Sequence, residues 1–154
     1  MKPFTIWVDA DSCPVSVREI IIRFSKRLDI KAIFVANREI PLPKLHCLGM
    51  VIAENTADAA DNYIVENSSS SDLAITRDVP LASRLVEKNV VVISDRGKLY
   101  TPDNIKESLS FRNFNLELIQ NGIPELKTNS YSKKDLNDFA NLLDRELTKL
   151  LKRL

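Results

Sequence analysis

Four short runs constrain the fold more than any other feature of the chain: 4-FTIWV-8, 31-KAIFVA-36, 73-LAIT-76 and 90-VVVIS-94. Each is apolar, rich in β-branched or aromatic residues, and lacks the polar alternation of a half-solvated strand. Strands of that kind are buried on both faces, which requires a parallel sheet between two layers of helix. The intervening segments fit this. Val17, Ile20, Ile21, Phe24 and Leu28 recur at three- and four-residue spacing and make one helical face, with Ser12 expected to cap it and Pro14 in its first turn. Residues 48–53 read as a further strand after the proline-containing loop 37–47. Thr56 is expected to cap a helix over 57–66, and 80–88 reads as another helix.

After 95-DRGKLYTPDN-104 no more strands are expected. Pro102 opens a helical region that ends at about Gln120, where 121-NGIP-124 stops it. A loop follows, and 132-SKKD-135 has the form of a capping box with Asp in place of Glu. The long helix beyond it carries Leu136, Phe139, Leu143, Leu147 and Leu150 on one face, a core or homodimer surface. At 154 residues this is expected to be one domain, a βα core over 1–100 and a C-terminal helical region over 101–154. The expected class is three-layer α/β/α with a mostly parallel sheet.

The net charge of +1 neither demands nor excludes nucleic acid. Cys13 and Cys47 show no pairing pattern, there is no signal-peptide pattern, and no apolar run approaches a membrane span. A cytoplasmic protein with no membrane association is the expectation.

In an open parallel sheet, ligands bind beyond the carboxyl ends of the strands. Acids crowd those positions here. Asp9 and Asp11 follow the first strand, Asp78 follows 73-LAIT-76 and Arg77, and Asp95 follows 90-VVVIS-94 and precedes Arg96. Asp58 and Asp61 share a helix face three residues apart. Carboxylates about 4 Å apart repel by roughly 4 kcal/mol at an effective dielectric near 20. Such a cluster must protonate, pair with arginine or hold a divalent cation. Hard oxygen donors favour magnesium or manganese over zinc, and one histidine, His46, rules out a three-histidine site. Each acid also has a plain alternative. Asp9, Asp11 and Asp78 can be turn or cap residues, Asp58 and Asp61 can serve a helix dipole, and Asp95 can be a turn residue. Cys13 reads more readily as a buried structural thiol than as a reactive one, and Trp7 reads as core.

These residues carry a resemblance. The segments 7-WVDADSCPV-15, 35-VANR-38, 57-ADAADNYIVE-66, 73-LAITRDVPLA-82, 95-DRGKLYTPDNI-105 and 139-FANLLDREL-147 resemble the bacterial YaiI/YqxD family in its own order. Its fold groups with the PIN-like (FLAP-nuclease-like) domains. The resemblance implies an acidic cluster that binds one or two magnesium or manganese ions for phosphodiester hydrolysis of RNA or single-stranded DNA. Nuclease activity is implied by the wider superfamily, not by the family. By position, Asp9, Asp61 and Asp78 hold metal, Asp11 joins them or orients water, and Asp58 and Asp95 are further candidates. Asn37, Arg38, Arg77 and Arg96 are the candidates for substrate contact, although the arginines could equally neutralise the acids. Asn62 stands where the family often carries a further acid, and Ser94 precedes Asp95 where the family often has proline before Arg-Gly. Two alternatives stay open: a non-catalytic nucleic-acid- or protein-binding module with a structural ion, and a haloacid-dehalogenase-type phosphatase using the Asp-x-Asp after the first strand.

Overall fold

In the computed structural model, residues 1–56, 58–123 and 130–154 are described. The elements run β1 (Thr5–Asp9), α1 (Val15–Leu28), β2 (Lys31–Ala36), β3 (Leu48–Ile52), α2 (Ala59–Asn67), β4 (Leu73–Ile75), α3 (Val79–Glu87), β5 (Val91–Ile93), β6 (Leu99–Tyr100), α4 (Pro102–Gln120) and α5 (Lys133–Lys152). The strands form one sheet in the order β3-β2-β1-β4-β5-β6. All neighbours are parallel except β5 and β6. The chain is α/β, as the uninterrupted apolar runs require.

Side-chain alternation along the strands divides the core into two layers. Ile6, Val8, Ala32, Phe34, Leu73 and Ile75 face one side, against Val17 and Ile21 of α1 and Phe139, Leu143 and Leu147 of α5. Trp7, Val35, Ala74 and Val92 face the other, against Ile64 of α2, Leu81 and Leu85 of α3, and Ile105 of α4. Fully burying each large side chain stabilises the fold by roughly 1.5–3 kcal/mol. The leucine face of α5 is therefore core: Leu143 and Leu147 are fully buried. It is not free to serve as a homodimer surface.

Several local expectations are corrected. Among the described residues no strand follows 104, as expected, but the segment 95–104 itself holds a strand that was not expected: Leu99 and Tyr100 return antiparallel beside Ile93 and Val92, across a turn at Gly97. Gly97 has φ +84, and a Cβ there would lie 2.7 Å from the backbone of Asp138 in α5, so both conformation and space require glycine. The N-cap of α2 is Asp58, not Thr56, and the helix begins at Ala59; the expected start, Ala57, lies outside the described residues. Ser12 does not cap α1. Pro14 occupies the N-cap position with extended backbone and no side-chain cap. The reason is a turn at 11–12, in which the Cys13 N–H donates to the Ala10 carbonyl.

The capping box of α5 is present as read, with Ser132 and Asp135 bonding reciprocally. Thr101 and Asn104 make a second box at α4. The stop at 121–124 is described as far as Ile123, and most of the loop beyond lies outside the described residues. Among the described residues, no helix is long and apolar enough to cross a membrane.

One buried acid is structural. Asp72 accepts from the Thr5 N–H at 2.9 Å, the Trp7 indole N–H at 3.0 Å and the Ser69 N–H at 2.9 Å. It fastens the start of β1 to the loop that enters β4.

Candidate active-site cleft

The strand order changes direction at β1. Chain progress moves outward through β2 and β3 on one side, and through β4 and β5 on the other. A crevice opens beyond the carboxyl ends of β1 and β4, where ligands bind in sheets of this order. No glycine lies between β1 and α1, so the close backbone approach that cradles a dinucleotide pyrophosphate has no counterpart here. Carboxylates stand there instead.

Parallel pairing of Val8 with Ile75 brings Asp9 beside Thr76. The Thr76 hydroxyl donates to Asp9 Oδ2 at 2.7 Å and accepts the Asp78 N–H at 3.0 Å. One hydroxyl thus joins the end of β1 to the start of α3. Asp78 caps α3, its Oδ1 accepting the Leu81 N–H at 3.1 Å. Asp11 accepts the Asn37 N–H on both oxygens, at 2.9 and 3.2 Å, and ties the end of β2 to the turn after β1. Asp58 and Asp61 enter from the first turn of α2. Together with Arg77 and Arg112 these groups line an open cleft of about 660 Å³.

The acids disturb one another. Burial raises the Asp61 carboxyl to about 6, and Asp78, Asp9 and Asp58 push the same way, with Arg84 opposing. Burial also raises Asp9; the Thr76 hydrogen bond works against it, while Asp78 and Asp11 add to it. The cleft is short of positive charge because Arg77 is engaged elsewhere. Its Nε donates to Asp95 Oδ2 at 3.0 Å and its Nη2 reaches the same oxygen.

The structure brings together Asp9, Asp11, Asp58, Asp61, Asp78, Asn37 and Arg77, and leaves three candidates outside. Asp95 is buried and spent on Arg77. Arg96 bonds Asp135 at 3.0 Å and lies over the Tyr131 ring, which anchors the start of α5. Arg38 is exposed and does not line the cleft. Cys13 is pushed up to about 12, chiefly by burial and then by Asp95, so it is a protonated thiol at neutral pH and no nucleophile. His46 bonds Asp29 at 3.1 Å. Asn62 takes the Arg84 guanidinium at 2.9 Å in place of the acid expected by resemblance.

Sequence reasoning missed two residues. Thr76 carried a weak signal, as a polar end to an apolar run. Arg112 carried none, since α4 reaches the cleft only through its packing on α3.

For a cation, the donor chemistry fits: the cleft offers carboxylate oxygens, and burial, with mutual repulsion adding to it, has raised two of the acids. The Asp61 carboxylate, Asp9 Oδ1 and Asp78 Oδ2 accept no hydrogen bond from any described residue. Among the described residues, however, no three His, Cys, Asp or Glu side chains are grouped closely enough to hold a metal ion.

Curated relatives span nearly the whole chain. The UPF0178 protein of Treponema denticola is 56% identical over 96% of this chain and 94% of its own length. That of Myxococcus xanthus is 45% identical over 96% of each chain. That of Treponema pallidum is 45% identical over 96% of this chain and 84% of its own. No solved structure matches the chain. The family model described as "Uncharacterized BCR, YaiI/YqxD family" matches residues 7–149, and the chain belongs to that family.

Proposed function

We propose that the cleft is the site of a magnesium- or manganese-dependent phosphodiester hydrolase acting on RNA or single-stranded DNA. The observation that carries this reading is the meeting of acids from three separate segments (Asp9 and Asp11, Asp58 and Asp61, Asp78) at the point where the strand order reverses. A structural role alone does not account for gathering repelling charges there. The resemblance of the same motifs to a family whose fold groups with the PIN-like domains supports it.

Asp9, Asp61 and Asp78, not grouped closely enough here to hold an ion directly, would hold the cation through intervening waters. When bound, it would activate water and neutralise charge building on the phosphate. Asp11 is held by the Asn37 amide, which suits orienting a water. Arg112 faces the acids from α4 and is placed to meet a phosphate oxygen.

A second reading is a binding module with a structural ion. It is favoured by the use of Asp11 and Asp78 as acceptors of backbone N–H groups. The phosphatase reading lacks its lysine: among the described residues, the cleft is lined by arginines only as cations. The deciding experiment incubates purified protein with fluorescent single-stranded RNA and DNA and manganese. Cleavage is expected to vanish in chelator and in Asp9→Asn. Cleavage that survives both excludes the hydrolase reading. Cation binding without turnover selects the module.

A further inference from the structure

Arg77 lines the acid cleft but is held by an acid outside it. Its Nε and Nη2 both donate to Asp95 Oδ2. These two nitrogens make one edge of the planar guanidinium. The other edge, Nη1 with the outer N–H of Nη2, donates to no described residue. The pair is also unevenly buried. The Asp95 side chain is 5% exposed, and that of Arg77 is 44% exposed.

Neutralising the cleft would have put this fork on Asp9 or Asp78. Among the described residues Arg77 bonds neither, although Asp78 is its neighbour in the chain. The Arg77–Asp95 pair is neutral as a whole, so the cleft stays short of positive charge. What the pair leaves at the cleft is a set of parallel N–H donors, whose spacing matches two oxygens of a phosphate group. A lysine in place of Arg77 could satisfy Asp95 but would have no second edge to offer.

Both supports of the pair are tied down. On one side, the Thr76 hydroxyl bonds Asp9 and the Asp78 N–H, which fixes the backbone before and after Arg77. On the other, the Ser94 hydroxyl accepts the Arg96 N–H at 3.2 Å and the Lys98 N–H at 3.0 Å. The Ser94 N–H donates to the Lys98 carbonyl at 2.8 Å, and Gly97 fits tightly against α5. The Tyr131 hydroxyl donates to the Asp95 carbonyl. A binding group anchored in this way loses little freedom when a ligand arrives.

We propose that the open edge of Arg77 grips a phosphodiester group of a single strand, and that Asp95 is the positioning residue that aims this edge. The proposal rests on the reading above that the cleft takes a nucleic-acid strand. It gives the buried Asp95 a part in binding without any contact to the ligand.

The test is fluorescence anisotropy of a labelled single-stranded RNA titrated with the full chain, with calcium replacing manganese to limit turnover. The variants are Arg77→Lys, Asp95→Asn and the two combined, each checked by circular dichroism and thermal unfolding. Arg77→Lys keeps the charge and the partner of Asp95 but loses the open edge, and is expected to bind about tenfold more weakly. Asp95→Asn removes a negative charge, which by Coulomb attraction alone would tighten binding; a positioning role instead makes binding about threefold weaker. In the Arg77→Lys background the same change is expected to cost nothing further, because Asp95 acts through Arg77. A purely structural pair would lower the Tm and leave the affinity of the folded protein as it was. Unchanged affinity in Arg77→Lys, equal or tighter binding in Asp95→Asn, or additive losses in the combined variant each overturn the proposal. Where the wild type still cleaves in manganese, the hydrolase reading survives that result. A wild type that binds no strand removes both.

Discussion

Replacing Asp61 by asparagine is expected to stabilise the protein, and only at the pH where the acid is charged. Asp61 is raised from 3.8 to about 6 by burial and by Asp78, Asp9 and Asp58. The folded protein therefore binds this proton more tightly than the unfolded chain does. Any stability linked to the group is fullest below about pH 4, falls as pH rises toward 6, and stays low above it. A shift of about two units corresponds to roughly 3 kcal/mol at most. Asp61 is only partly buried, and solvent screening reduces this to about 1 kcal/mol. For a domain of this length, that raises the Tm of Asp61→Asn by about 2–4 °C at pH 8 in chelator. At about pH 4 the advantage should vanish, because the wild-type acid is then protonated. Thermal unfolding followed by circular dichroism across this range measures both ends. An equal gain at both pH values, or none at pH 8, would refute the claim that burial and neighbouring charge raise Asp61.

Two further perturbations test the frame around the cleft. Arg77→Ala leaves Asp95, 3% exposed, without its cation, and urea unfolding should show a loss of about 3 kcal/mol; a loss under 0.5 kcal/mol would mean the pair is immaterial. Asp72→Ala removes the acceptor for three donors, including the indole of the single tryptophan. A loss of roughly 2–4 kcal/mol is expected, with a shift in native Trp7 emission, and unchanged emission would contradict the buried indole hydrogen bond.

Much of this was legible in the sequence because doubly buried strands leave unbroken apolar runs. Those runs located β1, β2, β4 and β5 and placed Asp9 and Asp78 at one sheet edge. Strand β6 was not legible. Two residues on an antiparallel edge carry no periodicity, and Leu99–Tyr100 owes its place to the Gly97 turn. The caps of α1 and α2 were misplaced for another reason. Thr56 and Asp58 are both good caps, while at α1 the capping residue Ser12 loses the position to Pro14, which has no side-chain acceptor; in both cases the path of the preceding turn decides. Asp95 and Arg96 looked like site residues because chain adjacency does not say which way a side chain turns. Burial turned Asp95 toward Arg77, and the capping box of α5 drew Arg96 to Asp135. Thr76 and Arg112 depend on strand register and helix packing, which no local pattern encodes.

The helix that completes the α1 side of the core is made after the whole sheet and all the cleft acids. All the cleft acids lie between Asp9 and Asp78, and the parallel sheet ends at Ile93, but α5 reaches only to Lys152. At about 5–20 residues per second, a ribosome takes roughly 3–12 s to synthesise the stretch between. Through that interval the nascent sheet presents Phe34, Ile75 and Ile93 without the helix that will cover them. A chain that stalls or is cut short before α5 would carry a complete set of cleft carboxylates on a sheet with one face covered only by α1. Chaperone dependence of this protein should therefore rise sharply in C-terminal truncations, ahead of any change at the acids themselves.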